Sequence, residues 1–272
     1  MKAACIILNR NLPKPTTKLY KFFKKKKIDT FVVESGSDKK KIGKYPHWHV
    51  KNKNVMKKGL RFCNGFNYGL WQLYKSKSLN QYNIIFITTN DTIYHNNFNL
   101  NKIFDIFKKN PRLAILSPCG VDWGEKQIIK NNNDIKFYWY IHNSTLILRK
   151  EFVLDLCNYE KNKYKNFLFD GSNFRGYFAD IELVAKGYAN NWASGITKKI
   201  MISENETYLK EFNKIIKTED YKKNLNKYVL EGKAWMKRKY GFENKWQFQK
   251  LSKFWYDHFF EFNPEYKKYK IA

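Results

Sequence analysis

The chain has 272 residues, and its 52 Lys and Arg against 24 Asp and Glu give a formal net charge of +28. Hydrophobic residues make up 43% and aromatic residues 18%, which is enough apolar material for a packed core and excludes disorder of the whole chain. No apolar run approaches the ~20 residues that a membrane-spanning helix needs. The apolar run that ends at Leu8 is short for a signal peptide and predicts a buried first strand. We therefore expect neither a secreted nor an integral membrane protein but a cytoplasmic one, with peripheral membrane contact left open.

The positive charge is almost entirely lysine. Only six of the 52 basic residues are Arg, the residue that reads bases and phosphates through paired hydrogen bonds, which argues against sequence-specific nucleic-acid recognition. Asn, Ile, Tyr and Phe are abundant as well, and they share A- and T-rich codons with Lys, so genome composition explains part of the charge. The remainder favours an anionic partner, such as a nucleotide, an anionic membrane surface or a polyanionic acceptor.

The cysteines and histidines indicate no metal framework. Cys5, Cys63, Cys119 and Cys157 are scattered without a C-x-x-C pair, which is typical of a reducing compartment, and Cys5 and Cys157 are expected to be buried thiols. His47 and His49 share one face of a predicted strand, but no third ligand stands nearby in the sequence. A metal site at the two histidines is therefore the less favoured interpretation.

In the first half, short apolar strands alternate with amphipathic helices. Strands are predicted over 3–8, 30–33, 83–88 and 113–116, and helices over 16–27, 68–76 and 100–109. In the second half, strands are predicted over 137–140 and 144–148, helices over 151–158 and 180–186, and a loop over 170–176. This alternation predicts an α/β domain with a mostly parallel sheet. Beyond about residue 203 the chain becomes helical, Lys-rich and aromatic, so we expect a domain over 1–205 and a helical extension over 206–272 packed on it.

Scarce acidic residues follow the predicted strands and open a helix. Glu34 follows the second strand, Asp91 follows the strand over 83–88, and Asp180 and Glu182 open a helix after the 170–176 loop. Ligands of such sheets bind outside the carboxyl ends of the strands, so these side chains are candidates for chemistry. Taken singly, each has an ordinary structural alternative, such as closing a turn or capping a helix.

Taken together and in order, these segments resemble the inverting, nucleotide-sugar-dependent glycosyltransferases of the GT-A fold, family 2-like. The resemblance runs through nearly the whole chain. Its segments are Ile6-Ile7-Leu8-Asn9-Arg10-Asn11, Phe31-Val32-Val33-Glu34-Ser35-Gly36-Ser37-Asp38, Asn64-Gly65-Phe66-Asn67-Tyr68-Gly69, Ile84-Ile85-Phe86-Ile87-Thr88-Thr89-Asn90-Asp91, His142 to Phe152, Tyr177-Phe178-Ala179-Asp180-Ile181-Glu182-Leu183 and Trp235 to Gly241.

The resemblance implies a Rossmann-like GT-A domain over 1–205, with a mixed, mainly parallel sheet flanked by helices, and a C-terminal helical extension. It implies transfer of a sugar from a UDP- or GDP-type donor to a hydroxyl of a glycan or lipid-linked acceptor, by a single displacement with inversion. Asp180 takes the place of the general base, with Glu182 as its substitute. Asp91 takes the place of a ligand to Mn²⁺ or Mg²⁺, with Glu204 as a second ligand. The implied donor-binding residues are Asn9, Asn11, Glu34, Ser37, Asn64, Asn67, Asn90, Arg238 and Lys239.

The sequence departs from the family pattern at three points. Thr89 stands where a second metal-binding carboxylate is common, and Ala179 stands where an acidic neighbour of the base is common. The segment around Glu204 has no histidine to complete the metal site. Because of these departures, a metal-independent or degenerate enzyme remains an alternative.

The C-terminal segment has two interpretations. Arg238 and Lys239 are predicted to reach the donor diphosphate as point charges. Aromatic residues recur at helical spacing at Trp246, Phe248, Leu251, Phe254, Trp255, His258 and Phe259, which favours core packing. The alternative places these helices on an anionic membrane surface, near a lipid-linked acceptor.

Two other classes of function stay open at this point. One is a nucleic-acid-binding basic module, for which the lysine clusters at 24–27 and 39–41 would serve. It is the less favoured class, because the sequence has no Gly-rich phosphate loop and no helix-turn-helix pattern. The other is a nucleotide-sugar-binding protein without catalysis.

Overall fold

A computed structural model describes residues 1–95, 98–121, 134–141, 144–158, 163–205 and 220–271. The strands are β1 Ala3–Asn9, β2 Asp29–Glu34, β3 His47–His49, β4 Ile84–Thr89, β5 Thr92–Tyr94, β6 Leu113–Gly120, β7 Lys136–Phe137, β8 Thr145–Arg149 and β9 Ala193–Glu204. The helices are α1 Pro13–Lys25, α2 Lys53–Lys58, α3 Arg61–Lys75, α4 Leu100–Lys109, α5 Lys150–Leu156, α6 Ala179–Ala189, α7 Tyr221–Tyr240 and α8 Lys245–Phe262. Short 3-10 turns lie at Lys39–Lys41, Ser78–Gln81 and Pro264–Tyr269.

The described strands form one nine-stranded sheet in the order β3-β2-β1-β4-β8-β6-β9-β5, with β7 paired to β9. β1 is parallel to β2 and β4, and β6 is parallel to β9, and these are the longest ladders. β8 is inserted antiparallel between β4 and β6. The mixed, mainly parallel sheet expected from the sequence is confirmed. β8 separates the parallel group of β3, β2, β1 and β4 from the parallel pair of β6 and β9, to which β5 and β7 add antiparallel.

Local sequence explains where the helices begin. α1 begins at Pro13, where the missing N–H of proline costs no hydrogen bond. α4 begins after Asn99, whose side chain accepts a hydrogen bond from the backbone N–H of Lys102. α8 begins with a capping box, in which Asn244 and Gln247 satisfy each other's backbone N–H groups. The apolar sides of α1 and α4 pack on the sheet, as their periodicity predicts.

Several elements differ from the sequence-based expectation, which also lacked α2 and β5. The helix expected over 68–76 begins earlier, so the segment from Asn64 to Asn67 lies inside α3, and the helix expected over 180–186 continues past Gly187 in α6. Where a strand is expected over 137–140, the observed strand β7 covers only Lys136–Phe137. β9 was not predicted at all, because its two adjacent lysines and its glycine hide the strand pattern. His142 and Asn143, which carry part of one motif, lie outside the described residues.

The C-terminal helices share the core of the sheet. Tyr256, Phe259 and Phe260 of α8 belong to the main hydrophobic cluster, and the ring of Tyr266 stacks 5.6 Å from that of Phe137. A smaller cluster joins Trp235 and other α7 residues to the start of α6. The packing gives the helical extension its place against the sheet, while the boundary between residues 205 and 206 stays a prediction.

The aromatic periodicity of α8 is only partly a core pattern. Phe248 and Phe259 are buried, as core packing predicts. Trp246 and Phe254, in contrast, are 61% and 57% exposed, and Phe262 is 71% exposed. The opposite side of the helix therefore carries large rings in contact with solvent, which core packing does not explain.

The four cysteines are free thiols and all are buried. Burial raises the pKa of Cys5 and of Cys63 well above the ordinary value, so these thiols are poor nucleophiles. None of the described helices is both long and apolar enough to cross a membrane.

Candidate functional site

The carboxyl ends of β1, β2 and β4 meet at one edge of the sheet. Their parallel register sets Asn9 beside Glu34 and Leu8 beside Thr89. The amide nitrogen of Asn90, the residue that follows β4, donates to Oδ1 of Asn9 at 2.8 Å. Three candidates that are far apart in sequence therefore lie in one polar network, as the order of parallel strands predicts.

Glu34 is fully buried in the centre of this network. Its carboxylate accepts hydrogen bonds from Nδ2 of Asn9 at 2.9 Å and from the hydroxyl of Tyr45 at 2.8 Å. Burial raises the pKa of Glu34, although hydrogen bonds from Ser37, Tyr45 and Asn9 oppose the shift. Burial and the charge of Glu34 raise the pKa of Tyr45 in turn, so the phenol remains a proton donor.

Asn11 and Ser37 join the loops that follow β1 and β2. Asn11 adopts a left-handed backbone conformation, with φ of 56°, which asparagine tolerates better than most residues. Its backbone N–H donates to Oγ of Ser37 at 3.0 Å, and its side-chain oxygen accepts from the backbone N–H of Asp38 at 2.8 Å. These two candidates shape the rim of the strand-end network.

Two rare arginines bind backbone carbonyl groups inside the protein. Nη1 of Arg10 donates to the carbonyls of Ser35 and Val55, at 2.5 and 2.9 Å. Arg149 donates to the carbonyls of Leu113, Phe107 and Asn110, at 2.6 to 2.8 Å. Arg149, which lies in the resemblance segment from His142 to Phe152, is thus a structural residue, because its guanidinium binds carbonyl groups at the end of α4 and the start of β6.

Asn67 is committed to the loop that precedes α6. Its Nδ2 donates to the carbonyls of Lys165 and Phe169, at 2.7 and 2.8 Å. Its Oδ1 accepts from the N–H groups of Leu168 and Phe169, at 3.0 and 2.8 Å. The amide is saturated by backbone groups, so Asn67 fixes this loop, and a direct contact with the donor would require breaking one of these hydrogen bonds.

Asn64 lies one turn earlier on α3, beside the same loop. Its Nδ2 donates to the carbonyl of Gly171 at 3.2 Å, while its Oδ1 is buried without a hydrogen-bond partner. Asn64 also lines a cavity of about 250 Å³ together with α2 and the loop residues Tyr164, Lys165 and Phe174. It is therefore better placed than Asn67 to accept a hydrogen bond from a ligand.

Asp180 and Glu182 lie in the first turn of α6 and are 4% and 1% exposed. Phe178, at the N-terminal end of this helix, adopts a left-handed conformation with φ of 56°, which turns the chain sharply into the acidic segment. Oδ1 of Asp180 accepts from the backbone N–H of Ile181 at 2.9 Å. Two carboxylates that look like ordinary capping residues in the sequence are thus held inside the protein.

The C-terminal end of α7 supplies hydrogen-bond donors to Glu182 and to Asp170, which lies in the loop before α6. Nζ of Lys239 lies 2.7 Å from Oε1 of Glu182 and 2.5 Å from Oδ2 of Asp170. The hydroxyl of Tyr240 donates to the same Oε1 of Glu182 at 2.5 Å. Lys239 is therefore paired with two carboxylates, and a point-charge role toward a diphosphate would require breaking these pairs.

Asp170, Trp235 and Tyr240 are functional candidates that sequence reasoning missed. Burial alone would raise the pKa of Asp170, but hydrogen bonds from Lys239, Trp235 and Ser172 outweigh it and hold the pKa well below its usual range. In the sequence, Asp170 is recognisable only as an acidic residue at the start of a Gly-containing loop, and nothing there indicates its ion pair with Lys239, almost 70 positions away. Arg238, which was predicted beside Lys239 as a donor-binding residue, lies on the exposed side of α7.

The first turns of α3 contact both the loop before the acidic segment and the end of β1. The ring of Phe62 lies 5.4 Å from that of Phe169, next to Asp170, and Nδ2 of Asn64 donates to the carbonyl of Gly171 at 3.2 Å. On the side of the sheet, a Cβ atom at Gly65 would come within 2.4 Å of the side chain of Leu8 near the end of β1. The glycine thus lets α3 approach the end of β1 closely, while the same turns hold the loop that leads into the acidic segment.

Asp91 directly follows Asn90, and its Oδ1 is buried without a hydrogen-bond partner. Burial raises the pKa of Asp91, although a hydrogen bond from Thr89 opposes the shift. Glu204 pairs with Thr92 across β5 and β9, and the N–H of Asn205 donates to the carbonyl of Asp91 at 2.9 Å. The two expected metal ligands are therefore neighbours in the fold, though distant in sequence.

The donor set at Asp91 suits a hard divalent cation in part. An unpartnered carboxylate oxygen is the type of ligand that Mg²⁺ and Mn²⁺ prefer. Among the described residues, no group of three or more His, Cys, Asp or Glu side chains is placed to hold a metal ion. A cation at Asp91 would therefore need further ligands from a bound phosphate.

No protein-family model matches the sequence, and no curated protein matches it. Among solved structures, the chain is similar to a mannosyltransferase from Pyrobaculum calidifontis in complex with GDP-Man and Mn²⁺, with a TM-score of 0.51 and 10% identity over 92% of this chain and 68% of that one. It is also similar to GalNAc-T7 with UDP, GalNAc and Mn²⁺, with a TM-score of 0.54 and 8% identity over 96% of this chain and 56% of that one.

These likenesses show a shared fold. The described chain has the GT-A-like arrangement of a mixed, mainly parallel sheet flanked by helices, with further helices at the C-terminus. The fold that the sequence motifs implied is thereby confirmed. The chain spans little more than half of the length of GalNAc-T7, so that protein's activity bears on this chain only as a proposal.

Proposed function

We propose that this chain is a glycosyltransferase that moves a sugar from a nucleoside diphosphate donor to a hydroxyl of a glycan or lipid-linked acceptor. The observation that carries the proposal is the buried, unpartnered oxygen of Asp91 at the strand edge where this fold binds ligands. It lies next in the chain to Asn90, which joins the network of Asn9 and Glu34. Support also comes from the fold, which is shared with transferases described in complex with nucleotides and Mn²⁺.

The donor would occupy the edge formed by Asn9, Asn11, Glu34, Ser37 and Asn90. Asp91, with Glu204 beside it, would hold a divalent cation, Mn²⁺ or Mg²⁺. When bound, such a cation neutralises negative charge on the departing diphosphate. The side chains around Glu34 are already held by hydrogen bonds to one another, so little side-chain entropy would be lost when the nucleotide binds against them.

Asp180 is proposed as the general base. Its carboxylate would accept the proton of the acceptor hydroxyl while the acceptor oxygen bonds to the anomeric carbon and the bond from that carbon to the diphosphate oxygen breaks. Attack from the face opposite the leaving group inverts the anomeric configuration. Glu182 is the less suited base, because Lys239, Tyr240 and Lys186 all contact its Oε1.

The test combines donor binding with turnover. Thermal stability is measured with UDP, GDP and their sugar conjugates, with and without Mn²⁺, and nucleoside diphosphate release is then followed with the donor that stabilises. We expect one diphosphate to raise the Tm, and Asp180→Asn to abolish release while keeping that rise. Stabilisation by single-stranded nucleic acid alone would reject the transferase, and stabilisation without release would favour a non-catalytic nucleotide-sugar-binding protein. Near-normal release by Asp180→Asn would transfer the role of base to Glu182.

We also propose that α8 contacts an anionic membrane. Trp246, Phe254 and Phe262 are exposed on the side of the helix away from the core, and the ring of His258 lies 5.6 Å from Phe254 and 5.0 Å from Phe262. The net charge of +28 complements anionic lipid, and aromatic rings with lysines are typical of interfacial helices.

Binding to vesicles with and without phosphatidylserine tests the membrane proposal. The variant W246S/F254S/F262S should lose binding to phosphatidylserine vesicles, whereas Leu230→Ser, at a 67% exposed position of α7, should keep it. Equal binding of the triple variant and the wild-type protein would reject this surface. Loss of a dimer or of RNA binding in the triple variant, with vesicle binding unchanged, would assign the rings to those partners instead.

A further inference from the structure

The C-terminal turn of α7 places two side chains on the first turn of α6. Lys239 and Tyr240 reach Oε1 of Glu182 at 2.7 and 2.5 Å. Lys186, one turn further along α6, reaches the same oxygen at 3.3 Å. Two cations and a phenol therefore converge on one oxygen of a carboxylate that is 1% exposed. Such convergence fixes the rotamer of Glu182 and the direction in which its second oxygen points.

Lys239 is itself held in place. Its second carboxylate contact is Asp170, which also accepts a hydrogen bond from Nε1 of Trp235 at 3.0 Å. The ring of Trp235 is buried and lies 5.8 Å from that of Tyr240. Tyr240 is therefore held by packing at the helix end, and Lys239, whose side chain is 33% exposed, is held by its two ion pairs.

α7 packs closely against the segment that precedes Asp180 and Glu182, because its backbone at Gly232 lies next to the side chain of Tyr177. A Cβ atom at Gly232 would come within 2.2 Å of the side chain of Tyr177, just before the first turn of α6. Tyr177 also packs edge-on against Tyr228 of α7, with ring centroids 5.0 Å apart. The position of α7, and with it that of Lys239, is thus fixed by packing against the segment that carries the acids.

We propose that Lys239 and Tyr240 are positioning residues of the transfer reaction, which hold Glu182 and so the turn of α6 that carries Asp180. This proposal rests on the proposed glycosyltransferase function. It assigns the C-terminal helix a part in the active site, although it supplies no group that touches the reacting atoms. Asp170 and Trp235 complete the arrangement by holding Lys239.

The experiment compares Tyr240→Phe, Lys239→Met and Lys239→Arg in the full chain. Steady-state release of nucleoside diphosphate gives kcat and KM for the donor, and hydrogen exchange of the peptide around Ile181 reports on the turn itself. We expect kcat to fall about tenfold to a hundredfold in Tyr240→Phe and Lys239→Met, with donor KM nearly unchanged. Exchange at the turn should become faster, and Lys239→Arg should restore part of kcat. Lys233→Met and Tyr74→Phe, at exposed positions, serve as matched controls.

The outcomes separate this proposal from the function on which it rests. If the wild-type protein releases no diphosphate from any donor, the glycosyltransferase function fails, and the positioning role in that reaction fails with it. If the wild-type protein is active and Tyr240→Phe and Lys239→Met keep both kcat and slow exchange, only the positioning role is overturned. A rise in KM with unchanged kcat would also overturn it, because that pattern indicates donor contact by Lys239. Should Lys239→Met fail to fold, Tyr240→Phe, which removes a single oxygen, decides the question.

Discussion

Nζ of Lys239 lies 2.5 Å from Oδ2 of Asp170, although the two residues are 69 positions apart. The pair joins the C-terminal helix α7 to the loop that leads into the acidic turn of α6. Because the side chain of Asp170 is only 13% exposed, loss of Lys239 would leave the charge of Asp170 poorly solvated. The ion pair is therefore a structural link between the helical extension and the proposed active site.

The pair should make stability depend on acid pH. The pKa of Asp170 is below its ordinary value in the folded protein, so its stabilisation is complete above an unfolded pKa of ~3.9 and is lost as the pH falls toward the folded pKa. We expect Asp170→Asn to cost about 2 kcal/mol of unfolding free energy at pH 7, and this cost should begin to shrink below about pH 4 and continue to shrink as the pH falls toward the folded pKa. Urea unfolding across this range measures the difference. Asp105→Asn, at an exposed position of α4, should track the wild-type protein, and a constant cost at all pH values would contradict the ion-pair account.

Asp91 should behave in the opposite way. Burial raises its folded pKa, so its unfavourable contribution appears as the pH rises through the interval from the unfolded to the folded pKa. Asp91→Asn should therefore stabilise the ligand-free protein at pH 7, by about 1 kcal/mol, and leave it unchanged near pH 3.

The same variant tests the proposed cation site. Asp91→Asn should abolish any rise in Tm caused by Mn²⁺ with a nucleoside diphosphate, whereas Asp105→Asn should keep it. A gain in stability together with an intact Mn²⁺ response would remove Asp91 from the cation site. A loss of stability at pH 7 would show that the carboxylate is satisfied in the folded protein.

Asn67 should contribute to stability through the loop before α6. Asn67→Asp replaces the amino group, which donates to the carbonyls of Lys165 and Phe169, with a carboxylate oxygen that cannot donate. This oxygen would face the two carbonyl oxygens without a hydrogen bond and repel them. The expected loss is about 3 kcal/mol in urea unfolding. Asn80→Asp, at an exposed site in the 3-10 turn Ser78–Gln81, is the control and should change stability by less than about 0.5 kcal/mol. Normal stability with lost donor binding would return Asn67 to the donor site.

Tyr45 should support Glu34. Tyr45→Phe removes the hydroxyl that donates to the buried carboxylate at 2.8 Å, and is expected to cost about 1–2 kcal/mol at pH 7. Because the loss raises the pKa of Glu34 further, the cost should shrink as the pH falls and Glu34 takes up a proton. Tyr20→Phe, on a ring 5.8 Å from that of Tyr45, is the matched control. A cost that does not vary between pH 8 and pH 4 would argue that Glu34 does not ionise there.

Much of the architecture was predictable because helices and strands leave local sequence patterns, such as apolar periodicity and capping residues. The helix over 100–109 was predicted with the bounds that the structure shows, since its apolar stripe and its capping Asn99 lie within a few residues of each other. The strands that end at Asn9, Glu34 and Thr89 were recognisable as buried apolar runs followed by polar residues. β9 was not recognisable, because pairing with β6 and β5 overrides its weak strand pattern.

By itself, the sequence determined the alternation of strands and helices, and it placed acids and amides at the ends of parallel strands. Those properties depend on residues within one or two turns of each other. Only the tertiary structure decided which of these polar groups are already satisfied: Asn67 by a loop, Lys239 by Asp170 and Glu182. It also left the Asp91 oxygen without a partner. Hydrogen-bond partners depend on distances across the fold, and no spacing along the chain specifies them. The +28 charge likewise matters less as a total than through the few cations that the fold sets against buried carboxylates.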